Sequence, residues 1–245
     1  MKISVEDTAT MNEKSVLYVQ DTIDLISKIT YSKSVDLAKH SREVSQIARV
    51  ILKNIDFKKV SISGIEESVF KNIDLDTLSY IYEVHDLGKL RISEKILNKP
   101  SALTEDEYNQ IKLHPLYGEQ ILSELMLLKK KLTKYEEEFY KAALCVITEH
   151  HENYNGTGYP FGKKGTEISL LGRVAKVADV ISALMGTRCY NKKPFTLLET
   201  LNYLKKNKSI LFDPYIVDTA IVYKYQIEEV FSSSLVLNDI LDKIR

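Results

Sequence analysis

The sequence predicts an all-α protein, a single helical-bundle domain with a short N-terminal helical extension. Apolar residues recur at steps of three and four along most of the 245-residue chain, which is the period of an amphipathic helix. Nine glycines and five prolines are too few for a loop-rich β fold. Only Val60 to Ile62 alternates like a strand, and this segment is short enough to be irregular. We therefore expect an extension at residues 1–30, the main domain at 31–220 and a helical tail at 221–245.

Two amphipathic helices are predicted near the N-terminus. The first carries an apolar seam along one face, formed by Val16, Val19, Ile23 and Ile26. This seam either packs on its own domain or forms a short homodimer contact, and the sequence leaves both interpretations open. The second helix has its apolar stripe at Val44, Ile47, Ala48 and Ile51. His40 precedes that stripe by one turn and lies on the same face.

Two longer helices are predicted in the middle of the chain. The pattern of residues 74–87 predicts one helix, for which Gly88 supplies a C-terminal cap. Thr104 and Glu107 form a capping box, from which we expect a continuous helix over residues 105–127. The charge-dense stretch at 129–138 is typical of a solvated helix face or a connection.

The last part of the chain alternates between helices and one loop. An apolar helix runs into Glu149-His150-His151. Four glycines or prolines within residues 153–164 predict a loop with turns. Helices are then expected at 170–184, 195–204 and 214–227.

Composition excludes several classes of function. Thirty-four basic residues balance thirty-four acidic ones, so we expect no long nucleic acid as a partner, although a local pocket could bind a small anion. Cys145 and Cys189 suit a reducing cytoplasm. The N-terminus has no signal-peptide pattern, and no apolar run approaches about 18 residues, so we expect a cytoplasmic protein that does not cross a membrane.

A set of histidines and aspartates carries the chemistry. His85-Asp86 and His150-His151 lie where apolar helices end, and Asp179 lies inside an apolar helix. Each of these residues alone would more simply be an ordinary core or surface residue. Together they supply imidazole and carboxylate ligands, which suit Fe, Mn, Zn or Ni. Because neighbouring helical residues point roughly 100° apart, adjacent ligands can face two metals that one carboxylate bridges.

The order of these residues resembles a known family. His40, His85-Asp86, His114, His150-His151 and Asp179 follow the metal-ligand series of the HD superfamily of metal-dependent phosphohydrolases. Further stretches resemble its HD-GYP subfamily: His85-Asp86-Leu87-Gly88-Lys89, Ile96-Leu97-Asn98-Lys99-Pro100, Leu103-Thr104, His114-Pro115 with Gly118, His150-His151-Glu152, Gly156-Thr157-Gly158-Tyr159-Pro160, Gly172-Arg173-Val174, Val177-Ala178-Asp179, Ala183-Leu184, Arg188, Tyr190 and Phe212-Asp213-Pro214. The resemblance covers about residues 34 to 220.

The resemblance implies an all-helical bundle that binds two or three metals, commonly iron or manganese. It implies hydrolysis of the bacterial second messenger cyclic di-GMP to linear pGpG and often on to GMP. One metal would be held by His40, His85, Asp86 and Asp179, and the other by Asp86, His114, His150 and His151, with Asp86 as the bridge. Lys89 would contact a phosphate or assist the leaving oxygen, although by itself it could be a helix-end cation. Tyr159 and Arg188 would hold substrate phosphates or bases.

The chain departs from the family pattern at several positions. Members with three metals often carry a Glu where this chain has Asp36, so the resemblance leaves a third metal open. Cys189 replaces a usual Pro, and Asn191 replaces a frequent basic residue for which Lys192 or Lys193 could substitute. Asn155 stands where an Asp is common.

Three functions fit these observations. The first is an active cyclic di-GMP phosphodiesterase, favoured by the complete ligand series. The second is a cyclic dinucleotide receptor that signals through a partner protein with little turnover. The third is an HD hydrolase for another nucleotide, against which the Gly158-Tyr159-Pro160 loop argues.

Overall fold

The computed structural model describes residues 5–186 and 193–232. In these ranges the chain is helical, and β-pairing is limited to two isolated bridges, so the all-α prediction is confirmed. Val60 to Ile62 is irregular. The helices, with η for 3-10 helices, are α1 Val5–Lys33, α2 Val35–Asn54, α3 Gly64–Asn72, α4 Leu75–Ser79, η1 Tyr80–Val84, η2 Leu87–Arg91, α5 Glu94–Leu97, α6 Glu105–Ile111, α7 His114–Leu127, α8 Lys134–Glu149, η3 Gly165–Glu167, α9 Leu170–Met185, α10 Leu197–Lys206 and α11 Pro214–Val222.

The core is built around α9, which contacts α2 on one side and α8 on the other. The 3-10 helix η1 packs against α1, α2 and α8, and η2 packs against α7. The apolar stripes of α2, α8 and α9 are almost completely buried, as their spacing predicts. Because η1 and η2 meet within this group of helices, the two residues between them lie at its centre.

Helix α1 packs on the rest of the chain. Val19, Ile23 and Ile26 of the predicted seam are buried against α2, η1 and α8. Lys33, at the end of α1, donates hydrogen bonds to the carbonyl oxygens of Leu90 and Ile92 at 2.8 and 3.1 Å. The seam therefore serves packing within the chain.

The prediction of a single helix over residues 74–87 is wrong. The chain forms α4, tightens into η1, turns at His85 and Asp86, and continues as η2. The His85 amide bonds to the Tyr82 carbonyl three residues back, as in a 3-10 helix, so the α-helical period is lost. Gly88 is not a cap but a residue of η2 that lies against the backbone of α7.

The continuous helix expected over residues 105–127 is also wrong. The capping box at Thr104 and Glu107 is present, but the helix it begins, α6, ends at Ile111. A new helix, α7, begins at His114 with Pro115 in its first turn. Proline has no amide hydrogen to continue the α6 hydrogen-bond ladder, but it is well tolerated in the first turn of a new helix, where amide hydrogens have no intrahelical partner.

The charge-dense stretch is less solvated than predicted. Residues 129–132 connect α7 to α8, and Thr133 and Glu136 form another capping box. Glu136 and Glu138 are buried, and Glu136 pairs with the Lys129 ammonium at 2.6 Å. These two carboxylates belong to the interior because each has hydrogen-bond donors there.

The remaining elements follow the predictions closely. Residues 153–164 form a loop, and α9 and α10 lie within two residues of their expected bounds. The helix expected over 214–227 is interrupted at Tyr223, after α11, and resumes over 224–232. Among the described helices, none combines the length and the apolar character that crossing a membrane requires.

Candidate metal centre

Five elements bring seven predicted ligands to one place in the core. His40 lies on α2, His85 and Asp86 form the turn between η1 and η2, His114 begins α7, His150 and His151 follow the end of α8, and Asp179 lies in α9. Five of the seven are buried, while His151 and Asp179 are partly exposed. The centre therefore has an open side at His151 and Asp179.

Asp86 divides the centre into two halves. Its Oδ1 atom lies 3.2 Å from His114 Nε2 and 3.7 Å from His150 Nε2. Its Oδ2 atom lies 3.3 Å from His85 Nε2 and 3.9 Å from His40 Nε2. Each carboxylate oxygen thus faces a different pair of imidazoles, which is the arrangement of a bridging ligand.

The donor atoms form two groups that fit divalent metal ions. One group is Asp86, His114, His150 and His151, the other is His40, His85 and Asp179, and within each group all donors lie within 4.8 Å of one another. Two ligands about 2.1 Å from a shared ion, at angles of 90–110°, are roughly 3.0–3.4 Å apart. His114 Nε2 to Asp86 Oδ1, at 3.2 Å, and His40 Nε2 to Asp179 Oδ1, at 3.0 Å, have this separation.

Two buried donor atoms in the centre support the same assignment. His85 Nε2 and Asp86 Oδ1 are shielded from solvent and make no well-aligned hydrogen bond within the described part of the chain. A buried polar atom without a partner costs free energy unless another group, such as a cation, binds it. The donor set therefore fits a divalent metal site.

Both carboxylates of the centre are held ionised. Burial by itself would raise the pKa of Asp86, but the Lys89 ammonium and the neighbouring histidines hold it well below its ordinary value. Burial opposes ionisation of Asp179 too, and the adjacent His40 imidazole holds its pKa well below the ordinary value. Both residues can therefore act as anionic ligands at neutral pH.

The histidines differ in how readily they accept a proton. Burial lowers the pKa of His150 to about 4, and burial together with His150 lowers the pKa of His151. Burial would lower the pKa of His85 as well, but Asp86 outweighs it and raises that pKa. His150 and His151 are thus neutral at pH 7, the form in which imidazole binds metals.

Lys89 and Tyr159 line the centre. The Lys89 ammonium lies 2.6 Å from Asp86 Oδ2, one helical turn along the chain. The Tyr159 ring stacks on His151 with centroids 4.7 Å apart, and burial raises the pKa of its hydroxyl. Lys89 can therefore supply positive charge, and Tyr159 can supply a protonated hydroxyl as a hydrogen-bond donor.

The loop that carries Tyr159 is anchored to the end of α8. Glu152 Oε1 accepts hydrogen bonds from the backbone amides of Phe161 and Gly162 at 2.8 and 3.1 Å. The Lys163 ammonium lies 2.5 Å from Glu149 Oε1. These contacts hold the loop against the helix end that supplies His150 and His151.

The other residues that the sequence predicts for the site either lie apart from the two donor groups or fall outside the described residues. Asp36 is half-buried in the first turn of α2 and belongs to neither donor group. Arg188 and Lys192, as well as Cys189 and Asn191, lie outside the described residues.

The sequence reasoning missed three nearby residues. Glu43 and Ser182 form a hydrogen-bonded pair behind His40. Lys176 lies on α9 one turn before Asp179; burial lowers its pKa, and Asp179 and Glu152 oppose that shift. The three-residue spacing of Lys176 from Asp179 was a usable signal, whereas contacts of Glu43 and Ser182 across 139 residues left no local pattern.

A comparison with protein families matches the HD domain to residues 70–216 of the chain. The chain belongs to the HD domain family. This match and the relatives described next together confirm the predicted resemblance to HD-GYP phosphohydrolases. The matched domain contains His85, Asp86, His114, the His150–His151 pair and Asp179.

Individual proteins similar to the chain are named as phosphodiesterases of cyclic di-GMP or 3′3′-cGAMP. The chain is 37% identical over 147 residues to the cyclic di-GMP phosphodiesterase response regulator RpfG of Xanthomonas campestris. This alignment covers 60% of the chain and 36% of the relative. It is 30% identical over 197 residues to 3′3′-cGAMP-specific phosphodiesterase 3 of Vibrio cholerae, covering 80% of the chain and 37% of the relative. It is 23% identical over 214 residues to a cyclic di-GMP phosphodiesterase of Thermotoga maritima, covering 87% and 52%. The chain thus spans between a third and about half the length of these relatives.

Proposed function

We propose that the chain is a metal-dependent phosphodiesterase that hydrolyses cyclic di-GMP to linear pGpG, and further to GMP if a third metal is bound. The observation that carries the proposal is that the two carboxylate oxygens of Asp86 face different sets of imidazoles, Oδ1 towards His114 and Oδ2 towards His85. The names of the relatives support a cyclic dinucleotide as the substrate. Hydrolysis joins the oxygen of water to phosphorus and breaks the phosphorus–O3′ bond, and the released O3′ takes a proton.

In this proposal His40, His85, Asp86 and Asp179 hold one divalent ion. Asp86, His114, His150 and His151 hold the second, with iron or manganese as the preferred metals and zinc or nickel as alternatives. Such a pair of ions orients a phosphodiester, activates water and stabilises developing negative charge on oxygen.

Lys89 and Tyr159 act on the substrate in this assignment. The Lys89 ammonium, which pairs with Asp86 Oδ2 at 2.6 Å, would be free to contact a phosphate once metal ions neutralise that carboxylate. There it would stabilise negative charge or protonate the leaving O3′. Tyr159 would donate a hydrogen bond from its hydroxyl group to a phosphate oxygen. Arg188 and Lys192 remain predicted as further phosphate contacts.

Product analysis tests the proposal. The manganese- or iron-loaded protein is incubated anaerobically with cyclic di-GMP, and in parallel with 3′3′-cGAMP, and the products are separated by chromatography. Linear pGpG from cyclic di-GMP supports the proposal, and faster cleavage of 3′3′-cGAMP would reassign the substrate within the same class. Tight retention of intact ligand would instead indicate a receptor, and neither turnover nor retention would indicate another nucleotide as the substrate.

The role of Asp36 is tested by the second cleavage step. If Asp36 binds a third metal, Asp36→Ala should keep cleavage of the cyclic substrate and selectively slow conversion of pGpG to GMP. Asp36→Glu should keep or increase that second rate because its longer side chain reaches further. Equal GMP yield and equal metal content in Asp36→Ala would leave a binuclear site.

Oligomeric state, signalling partner and location also stay predictions. Since Val19 and Ile23 are buried within the chain, a homodimer through α1 would use its exposed residues Leu17, Leu25 and Ile29. Sedimentation measurements on the wild type and on Leu25→Asp distinguish a monomer from this homodimer, which the substitution should weaken. A cytoplasmic location is proposed on the cysteine usage, and Cys145 is a free thiol.

A further inference from the structure

Three histidines of the centre have the tautomer set by the backbone. Each of these rings has Nδ1 beside a carbonyl oxygen: His85 is 2.8 Å from Tyr82, His114 is 2.7 Å from Ile111, and His150 is 2.9 Å from Ile147. A carbonyl oxygen can only accept a hydrogen bond, so Nδ1 must carry the proton. The Nε2 lone pair of each neutral ring is then available to a metal ion.

His40 differs because its Nδ1 atom meets a hydroxyl group. The distance from His40 Nδ1 to Ser182 Oγ is 2.7 Å. A hydroxyl can either donate or accept, so Ser182 alone is compatible with both neutral tautomers of His40. If Ser182 donated to Nδ1, the proton of the ring would lie on Nε2, and that atom could not bind a metal.

Glu43 decides between the two tautomers. The Ser182 hydroxyl donates its single proton to Glu43 Oε2 at 2.8 Å, and an ionised carboxylate can only accept. Ser182 must therefore accept from His40 Nδ1, which places the ring proton on Nδ1. The Nε2 lone pair then points to the side of the ring where Asp179 Oδ1 lies 3.0 Å away.

The three side chains are shielded from water. Ser182 is fully buried, and Glu43 and His40 are each 4% exposed. The Lys39 ammonium lies 4.0 Å from Glu43 Oε1, so positive charge adjoins the carboxylate. Because solvent does not compete for these bonds, the direction of each proton is set by the protein.

We propose that Glu43 is a positioning residue that acts through Ser182 to fix the Nδ1-protonated tautomer of His40 for metal binding. The inference rests on the proposed metal site, and it is independent of which nucleotide is the substrate. Hydrogen-bonded partners that orient a metal-binding histidine typically change metal affinity by about 10–100-fold when they are removed.

The experiment measures the tautomer and the metal affinity separately. Long-range proton–nitrogen NMR on metal-free protein with ¹⁵N-labelled histidine distinguishes Nδ1–H from Nε2–H, and a His40→Asn variant assigns the His40 signals. Chelator competition gives the manganese and zinc affinities. In Glu43→Ala the Ser182 hydroxyl can donate to Nδ1, so we expect Nε2–H signal from His40 and metal affinity about 10–100-fold weaker. Ser182→Ala should weaken the affinity similarly.

Matched controls separate this role from simple loss of a buried polar group. Ser45→Ala removes a buried hydroxyl on α2 that donates to the Ser79 carbonyl, and it should change neither readout. Glu138→Ala removes a buried carboxylate on α8 and should likewise leave His40 unchanged.

Rescue supplies the opposite test. In the double variant Glu43→Gln with Ser182→Asp, the carboxylate introduced at position 182 accepts the hydrogen bond from His40 Nδ1, and the amide introduced at position 43 donates a hydrogen bond to that carboxylate. This variant should recover most of the lost metal affinity. The inference is refuted if wild-type His40 carries its proton on Nε2, or if folded Glu43→Ala and Ser182→Ala keep wild-type tautomer and affinity. A protein that binds metal as expected but cleaves no cyclic dinucleotide would refute the proposed function and leave this inference standing.

Discussion

Replacing Gly88 by alanine should force η2 away from α7 and open the metal centre between them. A methyl group on Gly88 would overlap the carbonyl oxygen of His114 and lie 2.7 Å from the His114 carbonyl carbon and 2.5 Å from the Gly118 amide nitrogen. Carbon atoms in ordinary contact are about 3.5–4.0 Å apart, so the two backbones must separate by roughly 1 Å. Since the obstructing atoms belong to the backbone, a change of rotamer cannot relieve the overlap.

The expected size of the effect follows from the contact between Asp86 and His114. Their Oδ1 and Nε2 atoms are 3.2 Å apart, close to the spacing of two ligands that share an ion. A further separation of roughly 1 Å would exceed the spacing of about 3.0–3.4 Å that adjacent ligands of one ion have. Gly88→Ala should therefore lose the ion shared by Asp86 and His114, and overpacking should lower the free energy of unfolding by about 1–3 kcal/mol or more.

Elemental analysis and urea unfolding check both effects. We expect one metal ion per chain fewer than wild type and a lower urea midpoint for the metal-free protein. Gly64→Ala is the matched control, because a methyl group on Gly64 meets no atom within 4 Å; it should keep the metal content and stay within about 1 kcal/mol of wild-type stability. Wild-type metal content and stability in Gly88→Ala would show that the close approach of η2 and α7 is not needed, and would refute the reasoning.

Three further predictions concern the titratable groups of the centre. Asp86→Ala should lose most of both metals and abolish hydrolysis, because one carboxylate neutralises both ions; a variant with two metals and the wild-type rate would refute the bridging assignment. Lys89→Ala should keep its metal content while kcat falls by about 10²–10⁴-fold, and an unchanged kcat would leave Lys89 a helix-end cation. His150 has a folded-state pKa near 4, below its unfolded value of 6.5, so metal-free protein should lose stability as pH falls from 6.5 to about 4, by up to about 3 kcal/mol from this residue. His150→Asn should weaken that pH dependence of the urea midpoint, and an identical slope in both proteins would contradict the assignment.

Local sequence features predicted most helices because their causes are local. Apolar periodicity and capping residues act within one or two turns, which is why the capping box at Thr104 and the stripe of α9 are found where expected. The two failures, at residues 74–87 and 105–127, lie where a tight turn and Pro115 interrupt a pattern that is apolar on both sides. Periodicity continues through such interruptions, because the apolar residues on each side still face the same core.

By itself, the sequence determined the helical class, and its resemblance to the HD-GYP phosphohydrolases identified the seven candidate ligands, because an ordered series of histidines and aspartates can be recognised without any knowledge of packing. The tertiary structure alone decided that Asp86 Oδ1 faces His114 and its Oδ2 faces His85, and that Glu43 reaches His40 through Ser182. These contacts join residues as far as 142 positions apart and depend on the packing of α2 against α9. Side-chain direction and proton direction follow from that packing, and no local pattern encodes them.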